Sequence, residues 1–128
     1  MLSHTPTPKR IRKLTARQRK KHHVGEFREL CFEVKIVFKQ PLAEPDYDAW
    51  WSAVIDLIES RGLFIGGLGG RLPLLEADGI VVAAGRGSPS EEDRQAVLAG
   101  LQAIPGVARA EAGDLVDAWY GPFDFAGN

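Results

Sequence analysis

The sequence predicts an α+β domain of the ferredoxin-like, split-βαβ type (βαββαβ), a four-stranded antiparallel sheet with two helices on one face, preceded by a flexible basic N-terminal arm. Three observations predict it. Leu30 to Lys39 alternates apolar and polar residues, two later segments carry apolar residues at helical spacing, and shorter extended runs broken by Gly and Pro fill the remaining places. Charge separates the arm from the body. Eight of the 16 Lys and Arg, and none of the 17 Asp and Glu, fall within residues 1–25, so an arm at +8 precedes a body at −9.

Residues 1–25 form the arm. Ser3 to Pro8 holds two Thr-Pro pairs, and a residue before proline is pushed out of the α region. From Lys9 to Lys21 the residues are good helix formers, but like charges three and four apart repel, which predicts a segment weakly helical until phosphates neutralise it. The body, residues 26–120, opens with the alternating strand. Leu30, Phe32, Val34, Ile36 and Phe38 take one side, and Cys31, Glu33, Lys35, Val37 and Lys39 the other, so one face is buried and one is wet. Pro41 and Pro45 end it. Tyr47, Trp50, Val54, Leu57 and Ile58 then recur every three or four residues, predicting a helix from Asp46 to Ser60 stopped by Gly62.

Leu63 to Leu75 is rich in glycine and contains Pro73, which places this second strand at a sheet edge. Asp78-Gly79 reads as a turn into Ile80 to Ala84, a short β-branched run suited to a central strand. Ser88-Pro89-Ser90-Glu91 reads as a capping box with Ser88 as N-cap, Pro89 at the first helical position and Glu91 three residues after the cap. The helix it opens presents Val97, Leu98, Leu101 and Ile104 to the core, and Pro105-Gly106 closes it. Val107 to Tyr120 is the last extended segment, interrupted at Gly113 by a bulge. Residues 121–128 read as a frayed tail. Right-handed crossovers would put both helices on one face, with the first and third strands central.

Composition narrows the function. At 128 residues with 45% hydrophobic and 26% charged residues, the chain suits one compact domain plus an arm. A single cysteine, Cys31, excludes an internal disulfide and a zinc site of several thiolates, and fits a reducing compartment. No apolar run approaches the roughly 20 residues of a membrane span, and the start lacks the apolar region of a secretory signal, so the expected location is cytoplasmic. An Arg-rich, acid-poor start also suits a mitochondrial presequence, but Ile11 and Leu14 make too sparse an apolar face for one.

Few residues suggest catalysis. The three histidines, His4, His22 and His23, all lie in the arm, and the adjacent pair points in different directions on a helix or a strand, so it makes a poor shared metal site. Cys31 stands beside Glu33, which disfavours a thiolate. Gly66, Gly67, Gly69 and Gly70 match neither G-x-G-x-x-G nor a P-loop, and they lead into an extended segment instead of a helix. Gly85 to Ser90 does precede a helix, but Glu91, Glu92 and Asp93 already complement its dipole and would repel phosphate. The reading is therefore no enzyme, with no catalytic residue, metal or cofactor assigned.

The arm suits nucleic acid better. Lys9, Arg10, Arg12, Lys13, Arg17, Arg19, Lys20 and Lys21 would contact phosphates without reading sequence. The wet side of the first strand offers no aromatic platform for stacking bases, so the sheet is not expected to act as an RRM-type surface.

Arg17 to Phe38, RQRKKHHVGEFRELCFEVKIVF, joins a basic run through a short spacer to an EF-x-EL-x-F-x-V strand entry. With Leu63 to Asp78, the helix start SPSEEDRQAVLAGL and the ending Asp114-Leu115-Val116-Asp117-Ala118-Trp119-Tyr120, it resembles the YggL family of small bacterial proteins described as binding the large (50S) ribosomal subunit. The likeness runs from about Lys9 to Tyr120. The chain departs from the family in a longer N-terminal extension, a more glycine-rich second strand, Tyr120 where a second tryptophan often stands, and the added residues 121–128.

The resemblance implies a non-enzymatic accessory protein of the 50S subunit, with no membrane or small-molecule partner. On charge, the arm is expected to contact rRNA phosphates while the acidic body meets a basic ribosomal protein or faces solvent. The competing reading is a protein–protein interaction module that uses the open sheet face or the Trp119-Tyr120 edge.

Overall fold

A computed structural model describes residues 15–18, 28–85 and 87–123. Its body is a mixed α/β unit built on one antiparallel sheet. The strands are β1 (Leu30–Leu42), β2 (Leu63–Gly66), β3 (Leu74–Ala83), β4 (Val107–Ala112) and β5 (Val116–Asp117), and the helices of the body are α1 (Asp46–Ser60) and α2 (Glu91–Ala103). The strand order is β2-β3-β1-β4, with β5 also pairing β1. β1 and β3 are therefore interior, and β2 is at an edge.

The alternation of β1 sets the core. Phe32, Val34 and Ile36 are fully buried and Phe38 nearly so, which at roughly 1.5–3 kcal/mol per large apolar side chain makes β1 the main anchor of the fold. Trp50, Val54 and Ile58 of α1, Val97 and Leu101 of α2, and Ala77 and Val81 of β3 join the same cluster. Tyr47, Leu57, Leu98 and Ile104 pack against it while only partly buried. Gly100 brings the helices close, since a Cβ there would lie 2.6 Å from Leu57 Cδ1.

The bounds of α1 are those predicted, and Gly62 ends it in the left-handed region (φ 67) with its N–H donated to the Glu59 carbonyl at 3.0 Å. β1 outruns its predicted end at Lys39 and passes through Pro41. It does so because its register with β3 breaks between Val37 and Leu42, and proline, having no N–H, is tolerated in such an irregularity.

Three further expectations change. Asp78-Gly79 makes no turn but lies within β3, paired with Lys35 and Val34, and the chain reverses instead in the 67–73 loop. The glycine serves close approach, because a Cβ at Gly79 would stand 2.6 Å from the Gly66 carbonyl oxygen and 3.0 Å from Leu68 Cγ. The capping box of α2 lies two residues later than predicted. Ser90 Oγ accepts from the Asp93 N–H at 3.0 Å and Asp93 Oδ2 accepts from the Ser90 N–H at 2.9 Å, while Ser88 Oγ is engaged by the Leu30 N–H at 2.8 Å. The wet face of β1 is only half wet, for Cys31 is 0% and Glu33 2% exposed.

The interruption at Gly113 is a bulge. Ala112 lies opposite Val34, the Gly113 N–H donates to the Glu33 carbonyl at 2.8 Å, and Val116 lies opposite Cys31, so β5 resumes beside β1 after one surplus residue. The extended segment then ends at Asp117, short of Tyr120. Within the tail, the Gly121 N–H donates to the Asp117 carbonyl at 2.8 Å, and residues 124–128 lie outside the described part.

Candidate functional site

Of the eight cationic side chains assigned to phosphate contact, Arg17 is described. It is exposed within helical residues 16–18. Lys9, Arg10, Arg12, Lys13, Arg19, Lys20 and Lys21 lie outside the described residues, as do His4, His22 and His23. The helical stretch has a start signal that the sequence reading missed. The Thr15 N–H donates to Gln18 Oε1 at 2.9 Å and the Gln18 N–H donates to Thr15 Oγ1 at 3.2 Å, a reciprocal capping box legible in Thr-Ala-Arg-Gln.

The sheet face opposite the core divides into two ends. Toward the end of β1 it is charged, with Lys35 Nζ 3.9 Å from Glu76 and Arg109 Nε 3.4 Å from Glu111. Toward the start of β1 it is more apolar. There Phe64 of the edge strand β2, paired with Val82, is 61% exposed, and Trp119 is 43% exposed beside a hollow lined by Glu29, Leu30, Val82 and Ala118. Phe64 is an outward-facing aromatic that the reading of β1 alone could not supply.

The Trp119-Tyr120 edge is held from two directions. The Asp117 carboxylate accepts from the backbone N–H groups of Trp119 at 2.8 Å and Tyr120 at 3.1 Å, and the Ala118 N–H donates to the Glu29 carbonyl at 2.8 Å. Arg94 of α2 fixes the bulge just before it. Its Nε donates to the Gly113 carbonyl at 2.7 Å and its Nη2 to the Ala112 carbonyl at 3.1 Å, while Nη1 donates to Glu91 Oε1 at 2.9 Å. Burial, with the Asp117 charge second, raises the Tyr120 phenol above its ordinary pKa.

The remaining candidates show no assembled chemistry. Burial, then the Glu33 and Asp117 carboxylates, pushes the Cys31 thiol up to about 11, the opposite of an activated nucleophile. At the start of α2 the Ser90 and Asp93 amides are occupied by the capping box, and Arg61 Nε donates to Asp93 Oδ1 at 2.9 Å. The Ser90 N–H above all, with Arg61 also contributing, holds the Asp93 carboxyl below its usual range. Among the described residues no group of three or more His, Cys, Asp and Glu is placed to hold a metal, and no helix is long and apolar enough to cross a membrane.

The candidate features are thus the capped Thr15–Gln18 segment with Arg17, a clamped aromatic edge and a sheet face divided by charge. No curated protein and no solved structure matches the chain. A family model described as the YggL 50S ribosome-binding protein matches residues 16–120, a span that begins inside the capping box at Thr15 and takes in Arg17, Arg19, Lys20 and Lys21 at one end and the clamped Trp119-Tyr120 edge at the other. The chain belongs to the YggL 50S ribosome-binding family.

Proposed function

We propose that this chain is a non-enzymatic, cytoplasmic accessory protein of the 50S ribosomal subunit, attached through its basic arm to rRNA phosphates. The partition of charge carries the reading. An arm at +8 seeks a polyanion, and a body at −9 keeps the rest of the surface from binding RNA indiscriminately. Four of the eight cations, Arg17, Arg19, Lys20 and Lys21, fall within the span of the family match. Lys9, Arg10, Arg12 and Lys13 stand before it. The body acts as a ferredoxin-like, split-βαβ support, a reading favoured by the strand order β2-β3-β1-β4 and by a core shared between both helices.

Sedimentation of purified chain with 50S particles tests the proposal. If about half of the arm cations reach phosphate, log affinity falls with log salt at a slope of roughly −3, and changing all eight to glutamine removes co-sedimentation without unfolding the body. A glutamine variant that still co-sediments at moderate salt refutes the arm's role. The exposed Phe64 and Trp119 at one end of the sheet favour a second reading, attachment through a protein surface. Deleting residues 1–23 leaves binding unchanged if that reading holds.

A further inference from the structure

The apolar end of the outer sheet face, at the start of β1, carries two exposed aromatic rings. Phe64 of β2 lies directly opposite Val82 of β3, so both side chains stand on the same face. Val82 in turn lines a hollow of about 260 Å³, together with Glu29, Leu30, Ala118 and Trp119. The order across this end is thus Phe64, Val82, hollow, Trp119. The backbone that carries Trp119 is fixed by three hydrogen bonds, two from the Trp119 and Tyr120 N–H groups to the Asp117 carboxylate and one from the Ala118 N–H to the Glu29 carbonyl. A ring held in this way gives up little freedom when it is covered.

Three observations select what covers it. The arm enters the body here, since Leu30 and Glu29 line the hollow. Lys21 stands eight residues before Glu29, a span of at most about 29 Å, so a polyanion held by Arg17 to Lys21 lies within reach of the rings. Among the described lining residues there is no Lys or Arg, and the charged one is Glu29. A carboxylate turns phosphate away but accepts from the exocyclic amino group of a base. Finally, two exposed aromatic faces suit successive unpaired bases, which stack on such rings whatever their sequence. An apolar protein surface would also cover the rings, but it would gain nothing from the position of the arm.

We infer that this end of the sheet is a stacking platform for unpaired bases of the RNA whose phosphates the arm holds. Trp119 stacks one base, Glu29 accepts from its amino group, and Phe64 stacks a neighbouring base. The inference rests on the arm's attachment to RNA and names the kind of RNA, a single-stranded segment. The rings come from β2 and from the chain after β5, which is why the residues of β1 alone offer no platform.

Titrating the full chain with a short oligocytidine, followed by NMR of the indole N–H signals, tests this. The Trp119 signal is expected to move upfield under a stacked base while that of Trp50, in the core, stays in place. Trp119→Leu and Phe64→Leu keep an apolar side chain but lose the ring face, and each should weaken binding about tenfold, a change of about 1.4 kcal/mol. Trp119→Phe should stay within about twofold of wild type, since a ring face remains. Oligocytidine should bind about fivefold more tightly than oligouridine, which lacks the amino group, and Glu29→Ala should narrow that ratio. Leucine variants that bind oligocytidine as wild type does overturn the inference, and if the same variants lose 50S particles, the rings meet a ribosomal protein instead. The salt slope of oligonucleotide binding reports the arm separately. A wild-type slope with unweakened leucine variants removes the platform alone, whereas a flat slope with weakened ones removes the arm's role and keeps the platform.

Discussion

Replacing Arg94 with alanine tests whether the C-terminal edge depends on a side chain or on its own backbone. Arg94 donates to two carbonyls at the bulge, at 2.7 Å to Gly113 and 3.1 Å to Ala112, from a side chain only 15% exposed. Hydrogen bonds from a charged donor contribute about 1.5–3 kcal/mol each, whereas the pair with Glu91, whose side chain is 61% exposed, adds little. Water can recover part of the loss at the Ala112 carbonyl, because that residue is only half-buried; Gly113 is buried. The expected cost is about 3 kcal/mol. Arg94→Lys keeps the charge but loses the planar fork, so about half of the effect should remain. Urea unfolding followed by tryptophan fluorescence measures both, as a lower midpoint at unchanged slope. A loss under about 1 kcal/mol for the alanine variant would show that β5 and the turn after it hold the edge without the guanidinium.

Gly79→Ala should destabilise by about 1–3 kcal/mol, because the new methyl meets the Gly66 carbonyl and Leu68, whereas Gly69→Ala, with open space around it, should fall within about 0.5 kcal/mol of wild type in the same denaturation assay. Cys31 should resist alkylation at pH 8 in the native chain and react readily once unfolded. Its thiol is pushed from 9.0 to about 11 on folding, so the neutral form is favoured in the native state. That contribution is fully present below pH 9 and lost as pH rises through about 11. Stability should therefore fall less over this window in Cys31→Ala than in wild type, and parallel pH curves would rule the contribution out.

Legibility followed locality. The alternation from Leu30 to Lys39 identified the core face of β1, and the three- and four-residue spacing from Tyr47 to Ile58 gave α1 its bounds, because both patterns are set by neighbours along the chain. Alternation gives direction but not depth. Cys31 and Glu33 point away from the core, as predicted, yet both are buried, Cys31 where β1 meets β5 at Val116 and Glu33 between Ile80 of β3 and the Gly113 bulge, through contacts far along the chain. Asp78-Gly79 misled because the pair that favours a turn also permits a close crossing, and only the Gly66 carbonyl beside it decides between them. Ser88 reads as the cap from the sequence, but the Leu30 amide claims its hydroxyl and the cap falls to Ser90. The Thr15 capping box was readable and passed over, since the repelling charges around it dominated the reading of the arm. The cleft of about 500 Å³ between the end of β1, the first turns of α1 and the α2–β4 connection could not be read at all. Its walls come from three stretches that only the finished fold brings together.

The surplus residue between Gly113 and Val116 gives the return path slack, with a practical result for chain length. A strand hydrogen-bonded at every position tolerates no single-residue deletion, because each side chain beyond the cut is turned to the opposite surface. At this joint the count is already one over. Shortening it at Asp114 would leave Val116 beside Cys31 and Asp117 beside Leu30, at the cost of the grip that Arg94 keeps on the loop, whereas the same deletion within the regular run from Arg109 to Ala112 would evert Ala110; β4 holds its own surplus residue at Ala108, between Val107 opposite Phe38 and Arg109 opposite Val37. Insertions and deletions compatible with this architecture are thus concentrated at these two surplus positions, and one made at the joint leaves the aromatic end in its orientation.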